Sequence, residues 1–326
     1  MASAGQPATA PGKSILIVNP ASAAGRTGRR WPAIASLARA SGLDFEAVLT
    51  TRPGEATEIA RRAVRDSRPL VAAVGGDGTL FEVANGFFEG AEAIPTSSNL
   101  GLIQVGTGGD TRRNLGIPID VEAAIRVLTE GRPRLIDAGR VTLDSRVYHF
   151  VNIAEAGIGA DVSERANRMP KLLGGSTYFI ATLASLAVWK HKLLQVSIDG
   201  GGRREIIGQA VVVANCQYYG GGMRIAPQAV PDDGVLDVII EGPIGKFEAM
   251  LRARQLYSGT HFEDPVLSRK LELLHCARVE VTSPEAVLVQ LDGEVVGQLP
   301  ATFEVVPGAL RFMVPKAGPM VLAEDS

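Results

Sequence analysis

Five consecutive residues, Gly75-Gly76-Asp77-Gly78-Thr79, have the make-up of a loop that could hold phosphate. Glycines let a backbone come close to phosphate oxygens and adopt positive φ. Amides at a helix start add donors and partial positive charge. The apolar run Leu70–Val74 precedes the loop and a helical pattern over Thr79–Phe88 follows it. A parallel sheet places its ligand at such a junction. An aspartate alone would repel an anion there, so Asp77 makes sense if magnesium or an ordered water network accompanies the phosphate. The plainer alternative is a tight, capped strand–helix turn. Other phosphate motifs fail. Gly12-Lys13-Ser14 looks like the end of a Walker loop, but Pro7 stands where its first glycine belongs. A dinucleotide fingerprint begun at Gly106 and Gly108 would need a glycine where Thr111 stands.

Carboxylates supply the second set of candidates. Asp77, Asp110, Asp137, Asp233 and Glu294 fall at or near the ends of predicted strands. In Val230–Val235, Asp233 sits beside Gly234, so the backbone can curl and offer carbonyls together with the carboxylate. That suits a hard, oxygen-seeking cation, although an Asp-Asp-Gly hairpin turn would look the same. Arg112 and Arg113 could meet phosphate or simply be solvated. His261, just after a helix, reads as a hydrogen-bonded structural histidine.

The elements that must position these groups fall into two sets. Strand and helix patterns alternate from Ser14 to Gly131, with strands at Ser14–Asn19, Phe45–Leu49, Leu70–Val74 and Leu102–Val105. That alternation predicts a doubly wound α/β domain with a parallel sheet over residues 14–133. From Arg134 the pattern becomes β-rich, with strands at Leu135–Leu143, Val147–Ile153, Leu193–Ile198, Ile206–Ala214, Val235–Ile240, Val279–Thr282, Val287–Leu291 and Thr302–Val306. Helices around Thr177–Lys190 and Lys246–Tyr257 interrupt it. The expectation is a C-terminal β-sandwich over 134–309. Residues 1–13 read as a disordered tail without a signal sequence. A length of 326 residues suits two domains.

Composition narrows the function classes. Hydrophobic residues make up 46% and charged residues 21%, so the chain is globular. A net charge of -2 gives no global field for nucleic acid or anionic membrane, so phosphate binding must be local. Cys216 and Cys276 form no CxxC pair and read as buried free thiols of a cytoplasmic protein. The stretch Thr177–Trp189 is too short to span a bilayer. It reads as core, or as the lining of a lipid tunnel.

Six motifs, in order, resemble the diacylglycerol kinase catalytic-domain family, which includes sphingosine, ceramide and bacterial lipid kinases. They are Asn19-Pro20-Ala21-Ser22, Gly75–Thr79 with Glu82, Gly106-Thr107-Gly108 with Asp110, Gly157–Asp161, Gly220–Gly234, and Asp292-Gly293-Glu294. Ala23, Phe81 and Gly109 stand where the family often has glycine, asparagine and asparagine.

The resemblance implies an NAD-kinase-like α/β domain and a β-sandwich with the active site between them, and a chain end, residues 310–326, that returns to the first domain. It implies ATP and magnesium as cofactors and a lipid substrate met at a membrane surface. Nucleotide contacts would come from Asn19, Thr51, Gly75, Gly76, Asp77, Gly78, Thr79, Glu82, Gly106, Thr107, Gly108 and Asp110. Metal contacts would come from Val230, Asp233 and Val235. Asp292, at a glycine turn after an apolar strand, becomes the candidate general base, with Glu294 and Asp77 beside it. No nucleic-acid partner is expected, and an exposed sandwich edge would support a homodimer. The rivals are an NAD kinase, which uses a similar loop, and an inactive lipid-binding relative.

Overall fold

A computed structural model describes residues 12–106, 108–169 and 176–316. The first part runs β1 (Ser14–Val18), α1 (Ser22–Ala40), β2 (Phe45–Leu49), α2 (Glu55–Arg65), β3 (Leu70–Gly75), α3 (Asp77–Asn85), a ribbon of β4 (Phe88–Glu89) and β5 (Glu92–Ala93), β6 (Asn99–Gln104), α4 (Asp110–Asn114) and α5 (Val121–Glu130). Strands β2, β1, β3 and β6 pair in that order, all parallel. Their side chains alternate between two cores, which is why the strands read as continuous apolar runs. Ile15, Ile17, Val71 and Ala73 face α2 and α3, while Leu16, Val18, Ala72 and Val74 face α1 and α5. The buried stripe Ala56, Ile59, Ala60 and Ala63 repeats at helical spacing and seats α2. Asp120 caps α5 by accepting the Ala123 amide at 2.8 Å, a contribution of about 1 kcal/mol.

The second part runs β7 (Arg132–Leu143), β8 (Arg146–Phe150), β9 (Ile153–Gly157), α6 (Ile158–Arg168), α7 (Ser176–Val188), β10 (Lys192–Ile198), β11 (Arg204–Gly208), β12 (Ala210–Ala214), β13 (Tyr218–Tyr219), β14 (Met223–Arg224), β15 (Leu236–Glu241), α8 (Lys246–Leu251), α9 (Ala253–Ser258), β16 (Leu271–Cys276), β17 (Arg278–Thr282), β18 (Leu288–Leu291), β19 (Glu294–Gln298) and β20 (Ala301–Val314). Two sheets face each other. One is antiparallel, in the order β16-β15-β12-β9-β18-β19. Val141, Phe150, Val196 and Phe303 of the other sheet meet Ala154, Val211, Val238 and Leu291 of this one in a shared core.

The second sheet of this sandwich is continuous with the parallel sheet. Strand β20 lies between β17 and β7 over its first half. After an irregularity between Val306 and Leu310 it continues beside β7 and pairs in parallel with β6 at Phe312–Leu100. The boundary expected between 133 and 134 therefore falls inside β7.

Two apolar runs that read as single strands are each divided between the sheets. Val147–Ile153 becomes β8 in one sheet and β9 in the other, and Ile206–Ala214 becomes β11 and β12, with the chain changing sheets near Asn152 and Gln209. Asn152 and Gln209 are single polar residues inside largely apolar runs, so the sequence pattern reads across them. The helix expected over Lys246–Tyr257 is broken at Arg252, and β16 is a strand that the sequence pattern does not announce. No helix among the described residues is long and apolar enough to cross a membrane.

Candidate active site

Strand β3 delivers Gly75 and Gly76 to the start of α3, where the Thr79 and Leu80 amides donate to the Gly76 carbonyl at 3.0 and 3.1 Å. The second glycine loop, after β6, lies against the first. A Cβ on Gly106 would stand 3.1 Å from Gly76 Cα, so the two backbones pass in contact. The Asp77 carboxylate fastens the loops together, accepting the Gly109 amide at 2.7 Å and the Thr111 amide at 3.4 Å. Gly109 has φ +87°, a left-handed conformation natural to glycine. Thr107 lies outside the described residues. From the neighbouring strand end, Asn19 donates to the Thr79 hydroxyl at 3.2 Å and accepts the Ala21 amide at 3.1 Å. Beyond it Ala23 and Ala24 take left-handed φ of 53° and 55°, a strain of roughly 1–2 kcal/mol each.

Thr51 and Glu82 each bond the start of α2, not the glycine loops. The Thr51 hydroxyl donates to Glu55 at 2.8 Å, and the Glu82 carboxylate accepts the Ala56 amide at 3.2 Å. Glu82 thus braces α3 against α2. Phe81, also on α3, packs against the sandwich core and joins the two domains.

The second domain reaches the loops through the β18–β19 hairpin. Asp292 sits in its turn at φ +49°. One carboxylate oxygen accepts the Val151 amide at 2.8 Å, and the other accepts those of Asn152 and Ile153 at 2.9 and 3.0 Å. These are the residues where the chain changes sheets, so the crossing supplies three free amides at one point. Burial and, to a lesser degree, the negative charge of Asp77 push Asp292 up to about 6 in spite of those amides. Taken as a whole residue, Asp292 is partly exposed. Two residues on, Glu294 meets the first turn of α3. A Cβ on Gly78 would stand 2.8 Å from Glu294 Oε1. Asp77 and Gly78 of one domain and Asp292 and Glu294 of the other therefore share a crevice.

Asp110 closes another side. It is buried, accepts the Gly221 amide at 2.9 Å and pairs with Arg113 at 3.2 Å. Burial first, then Asp77, pushes it up to about 7. Asp77, Asp110 and Asp292 are thus acids whose mutual repulsion a cation would relieve.

The Val230–Val235 turn stands further along the same seam. Asp233 is exposed, its Oδ1 accepting the Val235 amide at 3.1 Å. Among the described residues no three His, Cys, Asp or Glu side chains group as metal ligands. One carboxylate with the Val230 and Val235 carbonyls is nonetheless an all-oxygen donor set, which fits magnesium retaining several waters. The buried Asp137 fixes the turn, accepting the Gly234 amide at 2.8 Å and the Gly308 amide at 2.7 Å. Asn215 ties it to the crevice, donating to the carbonyls of Asp137 at 3.0 Å and Val151 at 2.8 Å.

Three asparagines here escaped sequence reasoning. Besides Asn215, Asn152 donates to the Thr111 hydroxyl at 2.6 Å and accepts from Asn114 at 3.1 Å. Asn114 in turn accepts the Gln217 and Tyr218 amides at 3.1 Å each. This buried amide chain holds α4 to the sandwich. An asparagine in an irregular stretch reads only as turn chemistry, so the sequence carries no signal for it. Arg113 lies over the Tyr218 ring at 5.6 Å. His261 is fully buried with Nε2 2.9 Å from the Ile225 carbonyl, a structural placement.

Residues 13–141 match the diacylglycerol kinase catalytic domain, and residues 152–314 match the YegS C-terminal NAD kinase beta sandwich-like domain. The chain is 30% identical over 286 residues to a Stenotrophomonas maltophilia protein named probable lipid kinase YegS-like, covering 87% of this chain and 91% of that one. It is 29% identical over 312 residues to a diacylglycerol kinase of Mycobacterium tuberculosis, covering 94% and 96%. A crystal structure of a diacylglycerol kinase from Bacillus anthracis has the same fold, with a TM-score of 0.70 at 22% identity over 95% of this chain and 98% of that one.

Proposed function

The chain belongs to the diacylglycerol kinase catalytic-domain family, and from that premise we propose that it transfers the γ-phosphate of ATP to a hydroxyl of diacylglycerol or a related lipid. The observation that carries this reading is the shared crevice, where Asp292 and Glu294 lie against the Asp77–Gly78 turn. The paired glycine loops cradle the phosphates with backbone amides. Asp292 accepts the proton of the lipid hydroxyl as its oxygen bonds to the γ-phosphorus and the bond to the β-phosphate oxygen breaks, releasing ADP. The three amides on Asp292 hold the carboxylate in place for that proton transfer. Asp233 with the Val230 and Val235 carbonyls would hold magnesium, which would supply positive charge to offset the triphosphate.

The test is incubation of the purified protein with labelled ATP, magnesium and a lipid extract, followed by mass identification of the product. Parallel reactions contain diacylglycerol, a sphingoid base or NAD. A phosphorylated lipid is expected. Label appearing on NAD alone, or on nothing, removes the proposal.

A further inference from the structure

Helix α7, with the sequence STYFIATLASLAV, carries no charged residue at all. Its inner side packs through Ala181, Ser185 and Leu186, yet Ile180, Leu183 and Val188 remain exposed on its outer side. A helix without charge and largely apolar is ordinarily covered on most of its surface. Helix α8 is inverted in the same sense. Phe247, Met250 and Leu251, at the spacing of one helix face, are 72%, 55% and 65% exposed, while Glu248 turns inward to Lys270 at 2.6 Å.

The two helices form one face. Lys246 at the start of α8 donates to the Ala187 carbonyl at the end of α7, and His191 Nε2 lies 3.1 Å from the Ile244 carbonyl. Glu248 is the single acid on α7, α8 and α9, and it is neutralised. Lys190, Lys246 and Arg254 are exposed, and no acid pairs with them among the described residues. Apolar residues edged by cations that have no acid partner, on a protein of net charge -2, make a local complement to an anionic bilayer, where rings and aliphatic chains enter the headgroup boundary and basic side chains meet lipid phosphates.

The face also rides on the elements that frame the crevice. Helix α7 packs on α6, which lies over β18 and β19 beside the Asp292 turn, and α9 packs on β14, next to the Gly221 amide held by Asp110. We propose that the outer face of α7 and α8 is the surface by which this protein docks on an anionic membrane. The proposal rests on the lipid-kinase reading for its purpose, but its test does not.

Sedimentation with vesicles of phosphatidylglycerol and phosphatidylcholine, against phosphatidylcholine alone, reads docking directly. Wild-type protein is expected to pellet with the anionic vesicles. Phe247→Glu/Leu251→Glu and, separately, Lys190→Glu/Arg254→Glu are each expected to weaken that binding about tenfold or more. Both pairs are exposed, so unchanged melting is the check that the fold is intact. Turnover of a short-chain diacylglycerol in solution should stay at the wild-type level while turnover of vesicle-embedded diacylglycerol falls. Unchanged pelleting of both variants overturns the proposal. So does light scattering that finds a wild-type dimer dissociated by Phe247→Glu/Leu251→Glu, since a second copy would then be what covers the face. Absence of turnover with any lipid would sink the kinase reading and leave the vesicle result standing on its own.

Discussion

Replacing Asp292 by asparagine separates holding the crossing from moving a proton. At pH 8 the wild-type carboxylate is ionised although its folded pKa is about 6 against an ordinary 3.8. Keeping that buried charge costs roughly 3 kcal/mol, since each tenfold gain in proton affinity on folding is worth about 1.4 kcal/mol. A neutral asparagine escapes this cost. It retains one oxygen for the Asn152 and Ile153 amides, but its NH2 group then opposes the Val151 amide, a loss of about 1–3 kcal/mol. The two effects nearly cancel, so Asp292→Asn should melt within a few degrees of wild type at pH 8. Turnover should nevertheless fall by about 10²–10⁴, the usual contribution of a general base. Scanning fluorimetry and ADP release measured on the same preparation test both halves. Wild-type turnover in the variant would refute the base assignment. Lost turnover together with a collapse in melting temperature would show that the three amides need the charge, and that the residue is structural.

Acid–base linkage gives a second expectation. Asp292, Asp110, Glu155 and Glu241 have folded pKa values raised to about 6, 7, 7 and 8, burial being the first cause in each. Each therefore adds stability that is complete below its ordinary value near 4 and lost as pH rises through 6 to 8, so the melting temperature of the nucleotide-free protein should fall from pH 5 to pH 8.5. A flat or rising curve contradicts those environments. Asn152→Ala strips the partner from the Thr111 hydroxyl and from one Asn114 donor and should lower unfolding stability by about 1–3 kcal/mol; an unmoved urea midpoint would mean the amide chain carries no energy. Asp233→Ala loses one contact, to the Val235 amide, so the fold should be unaffected while the magnesium needed for half-maximal turnover rises about tenfold or more. An unchanged magnesium dependence would place the metal elsewhere.

The sequence exposed the parts of the site where a backbone needs glycine. Gly76 and Gly106 touch through their backbones, and Gly109 takes a left-handed turn into the Asp77 carboxylate. Such positions tolerate few residues, so they leave a mark. Asp292 was legible for a related reason, since a Gly293 turn after an apolar strand projects the aspartate. What stayed hidden depends on pairings distant along the chain. Asp137 stood out as a carboxylate but its task did not, because the two amides it accepts belong to residues 97 and 171 positions away. The sheet changes at Asn152 and Gln209 were invisible because one polar residue within an apolar run does not end a strand pattern, and which sheet each half joins is set by partners elsewhere along the chain. Strand β16, Leu-Glu-Leu-Leu-His-Cys, lacks the β-branched residues that flag a strand.

Strand β20 also governs when the molecule can be finished. During synthesis β6 emerges as a bare sheet edge, and the strand that becomes its permanent neighbour is made long after it. Arg311 reaches back to Asn99 across 212 residues. Until then the growing first domain exposes unpaired backbone groups along that edge, a template for pairing with other chains. A product truncated before Ala301 would keep every phosphate-loop residue and still lack the strand that seals β6, and such a fragment should aggregate rather than survive as a small nucleotide-binding module.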